Sequence, residues 1–172
     1  LELSSAASDV YKRQLVKDAL SSGSFDGKKG KRMTLWTPGC NIVLVGMGEK
    51  DSLGHKRARN TGARLIASMS KKKGIDVTVR FTSGWSVERM IDFAEGMLLR
   101  DYEFLEHQES PKDHISDPWN VSFQASSRYQ ESLSRGLNKV GSVAEGVHLA
   151  RDLGNEPCLL YTSPSPRDAY VA

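Results

Sequence analysis

Gly46-Met47-Gly48 follows an apolar run and precedes a helical pattern, a setting in which backbone amides can cradle a phosphate. A dinucleotide fingerprint needs a further small residue at position 51, where Asp51 would repel a phosphate. A tight strand-to-helix turn is therefore the expected role. The histidines His55, His107, His114 and His148 are scattered, and no HExxH or CxxC pair accompanies them. His107 and His114 share a stretch with Glu106, Glu109 and Asp113 that reads as a solvated loop. Cys40 lacks a local partner and is expected as a buried thiol. Lys28, Lys29, Lys31, Arg32, His55, Lys56, Arg57 and Arg59 could together form a patch for an anionic ligand. No aromatic residues alternate with them for base stacking, so a solvated face is expected and a nucleic-acid partner is not. Asn120-Val121-Ser122 has the form of a glycosylation sequon, which carries no weight without a secretion signal.

The elements that must position these residues alternate between strand and helix. Leu15 to Leu20 predicts a short helical piece, broken by Ser21-Ser22-Gly23. Met33 to Thr37 predicts a strand stopped at Pro38-Gly39. The run Asn41 to Val45 is apolar after its first residue, the pattern of a strand covered on both faces. Ala58, Gly62, Leu65, Ile66 and Met69 recur at helical spacing, with Lys71, Lys72, Lys73 and Gly74 suited to the helix end. Asp76 to Phe81 alternates as a strand does. Val87, Met90, Ile91, Ala94, Met97 and Leu98 mark a second helical face, and Glu106 to Asp117 a loop. Val121 to Phe123 reads as a short strand, and Leu133, Leu137, Val140, Ala144 and Val147 line a last helix running to about Leu153. The alternation implies an α/β layer architecture with helices on both sheet faces.

The chain has 172 residues, about one domain, and 26% of them are charged and 38% hydrophobic, which excludes wholesale disorder. No apolar run approaches the roughly 18 residues of a membrane span. Twenty-four basic and 21 acidic residues leave a net charge of +3, too even to demand a polyanionic partner. Two cysteines, Cys40 and Cys158, make no disulfide framework. Both ends have an unusual property. Asp9 to Gln14 can be encoded GAT GTG TAT AAG AGA CAG, and the reverse complement of that string, read one base later, encodes Cys158 to Thr162. The shared element resembles the transposon end used to tag DNA for short-read sequencing, and Ser4 to Ser8 and Pro164 to Asp168 fit its two adapter arms. Residues 1–14 and 158–172 are thus expected to be adapter-derived or disordered. Setting them aside keeps the net charge at +3 and leaves Cys40 alone.

Four motifs then stand in order: Phe25-Asp26-Gly27-Lys28, Ile42 to Gly48, the stretch Ala94 to Phe104 (AEGMLLRDYEF), and Glu145 to Pro157 (EGVHLARDLGNEP). Together they resemble the leucyl aminopeptidase (cytosol aminopeptidase) family, where a long helix ending in ARDL-x-NEP leads from the N-terminal domain into the catalytic one. The resemblance implies a macro-like αβα three-layer domain with a mixed sheet over residues 15–126 and an interdomain helix over 127–157. It also implies a complete form that is cytoplasmic and hexameric. Such a form would release N-terminal residues from peptides through two cations, zinc or manganese, that activate a bridging water. The NTDAEGRL motif that supplies carboxylate ligands is absent from this sequence, and Cys158 to Pro164 replaces the N-x-L-T-P pattern expected after NEP. No catalytic, cofactor-binding or metal-ligating residue is therefore assigned, and no cofactor is expected in this chain itself. Two other readings stay open: a stand-alone macro-like module that binds a nucleotide or ADP-ribose-type ligand at the Gly46 turn, and a nucleic-acid surface over residues 28–32 and 55–59.

Overall fold

The computed structural model describes residues 5–49, 53–69, 76–82, 84–104 and 120–156. Asp51, the Lys71–Lys73 run with Gly74, the 106–117 loop with His107 and His114, and Cys158 lie outside them. The chain divides into two units, residues 1–57 and 58–172.

In the first unit, helix α1 spans Ser5–Ser21, starting well before the expected Leu15. That helix concerns the conformation of residues 5–14 and not the origin of their codons. It ends at the expected breaker. Ser22 N–H donates to the Asp18 carbonyl at 2.9 Å, Gly23 takes φ 70°, and Phe25 N–H reaches the Ala19 carbonyl at 3.1 Å. Ala19, Phe25 and Leu53 are buried. Strands β1 (Arg32–Thr37) and β2 (Cys40–Val45) pair antiparallel, from Thr37 opposite Cys40 to Arg32 opposite Val45. Pro38 and Gly39 make the two-residue connection, proline presetting its φ and Gly39 adopting φ 84°.

This hairpin corrects two expectations. β2 is not covered on both faces: it has β1 as its one strand neighbour among the described residues, and Val43 is 41% exposed. Cys40 is exposed rather than buried, because the hairpin turn ends there and its register partner Thr37 lies at the same tip.

The second unit holds most of helix α2 (His55–Met69), then β3 (Asp76–Arg80), α3 (Val87–Arg100), β4 (Asn120–Gln124), a 3₁₀ turn (Ser127–Tyr129) and α4 (Gln130–Asn155). β3 and β4 are parallel, Asp76 opposite Asn120 and Arg80 opposite Gln124, with α3 as the crossover. Both strands alternate. Val77, Val79, Val121 and Phe123 are partly covered, whereas the other face is exposed and polar. Its residues bond across the ladder: Asn120 Nδ2 to Asp76 at 2.9 Å, Thr78 with Ser122 at 3.1 Å, and Arg80 Nε to Gln124 at 2.7 Å. Helices on both faces were expected; this two-stranded sheet instead presents a solvated polar face, as its period-2 pattern requires.

The core follows the helical periodicities. Ala58, Leu65 and Ile66 of α2, Met90, Phe93, Ala94 and Met97 of α3, and Leu133, Val140 and Ala144 of α4 are buried. Phe81, Trp85, Phe93 and Phe123 form an aromatic cluster, with Phe81 5.5 Å from Phe93 and 5.9 Å from Phe123 between ring centroids. Two glycines explain how closely α2 and α3 cross. A β-carbon on Gly62 would lie 2.0 Å from the Phe93 carbonyl oxygen, and one on Gly96 would lie 1.9 Å from that of Arg59. The helix backbones touch where these glycines meet. Beside the crossing, Arg59 pairs with Glu95 at 2.6 Å and Asp92 at 3.4 Å.

Candidate functional site

Two constellations bring motif residues together. The first, in the first unit, joins the turn after Phe25 to the turn after β2. Gly46 N–H donates to the Lys31 carbonyl at 2.7 Å, Gly30 N–H to the Gly46 carbonyl at 3.0 Å, and Gly48 N–H to the Gly27 carbonyl at 3.0 Å. Gly27, Gly30 and Gly48 all have positive φ, and a β-carbon on Gly46 would meet the Lys28 carbonyl oxygen at 2.2 Å. These glycines are present so that two chain segments can touch. The amides of Gly46 and Gly48 that a phosphate would need are already bonded within the protein. The helix dipole is also misplaced for a phosphate: β2 ends at Val45 and α2 begins at His55.

A cleft of about 700 Å³ opens beside these turns, lined by Asp26, Gly27, Lys28, Lys29, Gly48, Glu49 and Arg57. Its charges are mixed. The Lys28 amide hydrogen bond, followed by the side chains of Lys28 and Lys31, holds the Asp26 carboxyl below its ordinary range against a smaller desolvation effect. Lys28 Nζ lies 3.2 Å and Lys31 Nζ 3.9 Å from that carboxylate. Arg57 Nη1 donates to the Met47 carbonyl at 3.4 Å. Of the bases expected to form one patch, Lys28, Lys29, Lys31, Arg32, His55, Lys56 and Arg57 belong to this unit, and Arg59 belongs to the other, occupied by Asp92 and Glu95.

The second constellation, in the second unit, centres on Tyr102, just past the end of α3. Its hydroxyl donates to Asp152 Oδ1 at 2.9 Å and accepts from Asn155 Nδ2 at 2.9 Å. Arg151 lies over the ring, 5.3 Å from its centroid, and donates from Nη1 to the Leu99 carbonyl at 2.8 Å. His148 Nε2 is 3.1 Å from the Leu98 carbonyl, which can only accept, so the Nε2–H tautomer faces it. Two orphan carbonyls at the end of α3 are thus capped by basic side chains of α4. Desolvation raises the Tyr102 phenol above its ordinary pKa, opposed by the bond from Asn155 and reinforced by the bond to Asp152. Asp101, the C-cap of α3, is pushed up by burial and by Glu103, partly offset by His148.

His148, Arg151, Asp152 and Asn155 occupy positions i, i+3, i+4 and i+7 of α4 and so share one face. That spacing is visible in the sequence and marks a polar face with a partner. The partner is Tyr102, in the neighbouring motif. Among the described residues, no three or more His, Cys, Asp or Glu side chains gather as metal ligands. His55 and His148 stand in different units. Among the same residues no helix is long and apolar enough to cross a membrane.

The described elements form, by class, a mixed α/β architecture with small sheets and a long C-terminal helix. The sequence model of the "Cytosol aminopeptidase family, N-terminal domain" matches residues 2–111, and the chain belongs to that family. The match begins at residue 2, within the segment 1–14 for which an adapter origin is expected from the sequence. The chain is similar to a probable cytosol aminopeptidase of Nitrosococcus oceani, 28% identical over 166 residues, covering 88% of this chain and 31% of that protein. A probable cytosol aminopeptidase of Burkholderia orbicola is 25% identical over 173 residues, covering 90% and 33% respectively. The chain therefore spans about a third of the length of these relatives. In fold it is similar to a tomato leucine aminopeptidase mutant, with a TM-score of 0.64 at 22% identity, covering 94% of this chain and 32% of that one. It is similar also to the bottromycin maturation enzyme BotP in complex with Mn, with a TM-score of 0.64 at 19% identity, covering 87% and 30%.

Proposed function

We propose that this chain is the non-catalytic N-terminal part of a leucyl aminopeptidase-like metallopeptidase. The complete form would release N-terminal amino acids from peptides by two-metal hydrolysis, in the cytoplasm, as a hexamer. The observation that carries this reading is family membership across the N-terminal domain, joined to α4, whose Asp152 and Asn155 are held against the preceding motif through Tyr102. The names of the curated relatives support an aminopeptidase, and the Mn in one similar structure supports a metal-dependent one.

On this reading residues 15–126 form a macro-like αβα domain, residues 127–157 lead toward the catalytic portion, and residues 1–14 and 158–172 are adapter-derived. The two cations, zinc or manganese, do not fit the described residues, which gather no ligand set; no step of the hydrolysis is assigned to them. What this chain contributes is a folded module and the direction in which α4 leaves it.

The test is direct. The 172-residue polypeptide is expected to show no manganese-dependent hydrolysis of leucine amide, and turnover that co-purifies with it and is absent from metal-free controls would overturn the reading. The alternative, a stand-alone module for a nucleotide or ADP-ribose-type ligand, loses support from the Gly46 and Gly48 amides, both already bonded to backbone carbonyls.

A further inference from the structure

We propose that the end of α4, from Glu145 to Asn155, is a conditionally held segment that opens and closes as a unit, with Tyr102 as its latch. Ala144 is the last buried residue of α4. Beyond it Val147 is half-buried, while Leu149 and Leu153 are 61% and 56% exposed, so apolar burial holds this stretch only weakly. The helix is also weak there by composition. Gly146 and Gly154 have nothing within 4 Å of an added β-carbon, unlike Gly136, where one would lie 2.1 Å from Ile91 Cδ1. No close packing requires glycine at 146 or 154, yet each lowers helix formation roughly fivefold relative to alanine.

Polar contacts with the end of α3 replace the missing burial. The Tyr102 hydroxyl bonds to Asp152 and Asn155, Arg151 stacks on its ring, and His148 and Arg151 cap the Leu98 and Leu99 carbonyls. A helix end with weak propensity, little apolar anchoring and one polar latch has two natural states: latched on α3, or frayed and free to redirect the chain that follows. This inference concerns the conformations of the chain itself and does not depend on the peptidase reading.

Hydrogen exchange of backbone amides in the 172-residue chain tests it. Tyr102→Phe keeps the ring and removes both hydroxyl bonds. It should lower protection of amides 149–155 about tenfold while leaving the buried part of α4 and the amides of α2 unchanged. Gly146→Ala with Gly154→Ala should raise protection of the same segment by roughly ten- to thirtyfold and restore it in the Tyr102→Phe background. Unchanged protection at 149–155 in Tyr102→Phe, or an equal loss throughout α2, α3 and α4, would overturn the proposal. If Tyr102→Phe does not fold, Asn155→Ala serves instead: a local loss of a few-fold supports the latch, and no loss refutes it. Failure of the double alanine variant to raise protection refutes it as well.

Discussion

Replacing the helix glycines one at a time with alanine separates two physical effects that the structure assigns to different positions. In an open helix, alanine is better than glycine by about 1 kcal/mol. At Gly62 and Gly96 that gain meets a backbone clash. The new methyl would lie 2.0 Å from the Phe93 carbonyl oxygen or 1.9 Å from that of Arg59, where ordinary contact begins at 3.4 Å. Relief requires α2 and α3 to part by more than 1 Å, which loosens Met90, Phe93, Ala94 and Met97 together. Overpacking of this kind costs about 1–3 kcal/mol, and the lost contacts add to it, so a net destabilisation of about 2 kcal/mol is expected for either variant. At Gly136 the obstacle is the end of the Ile91 side chain, which can rotate, and the net effect should be under about 1 kcal/mol. Gly141, Gly146 and Gly154 face open space, and alanine there should stabilise by about 0.5–1 kcal/mol. Urea titration followed by helical circular dichroism reads the order as midpoint shifts at constant slope. Gly62→Ala and Gly96→Ala variants as stable as the parent chain would refute the close crossing of α2 and α3.

Asp101→Asn should stabilise the chain at pH 7. The carboxyl sits at the C-terminal end of α3, and burial and Glu103 raise its pKa, so the folded state holds its proton more tightly than the unfolded state. The penalty is absent below the ordinary value near 3.8, grows as pH rises and is complete above the raised value. Removing a negative charge from a helix C-terminus is worth about 0.3–1 kcal/mol, and the advantage should vanish in melts below pH 3.8. Gly46→Ala should disrupt the paired turns of the first unit, since its β-carbon would lie 2.2 Å from the Lys28 carbonyl oxygen; retention of native near-ultraviolet dichroism would contradict the close approach. Calorimetric titration of the chain with ADP-ribose should be silent, and saturable binding would revive the nucleotide-module reading.

The helices of the second unit were the most legible part of the sequence, because burial on one face leaves a 3.6-residue signature. Ala58, Gly62, Leu65 and Ile66 were placed on one face and are buried, as are Leu133, Val140 and Ala144. Periodicity placed Gly62 on that face, but the reason for a glycine there is the Phe93 carbonyl across the crossing, which no local pattern reveals. β2 misled for a related reason. Four apolar residues in a row describe hydrophobicity and not cover, and the hairpin made by Pro38-Gly39 leaves Val43 open. The same turn carries Cys40 to the surface. The Tyr102 constellation was half visible. Its four α4 residues show the spacing of one helical face, while their partner lies about fifty positions earlier and meets them only once α3 and α4 pack.

The central claim, that this is the N-terminal part of an aminopeptidase, is tested most directly by the source DNA beyond codon 157. The account predicts an open reading frame continuing from Asn155-Glu156-Pro157 into a segment that encodes Asn-Thr-Asp-Ala-Glu-Gly-Arg, with no codons for Cys158 to Thr162 between them. A genomic sequence that instead encodes Cys158 to Ala172 and then stops would contradict it.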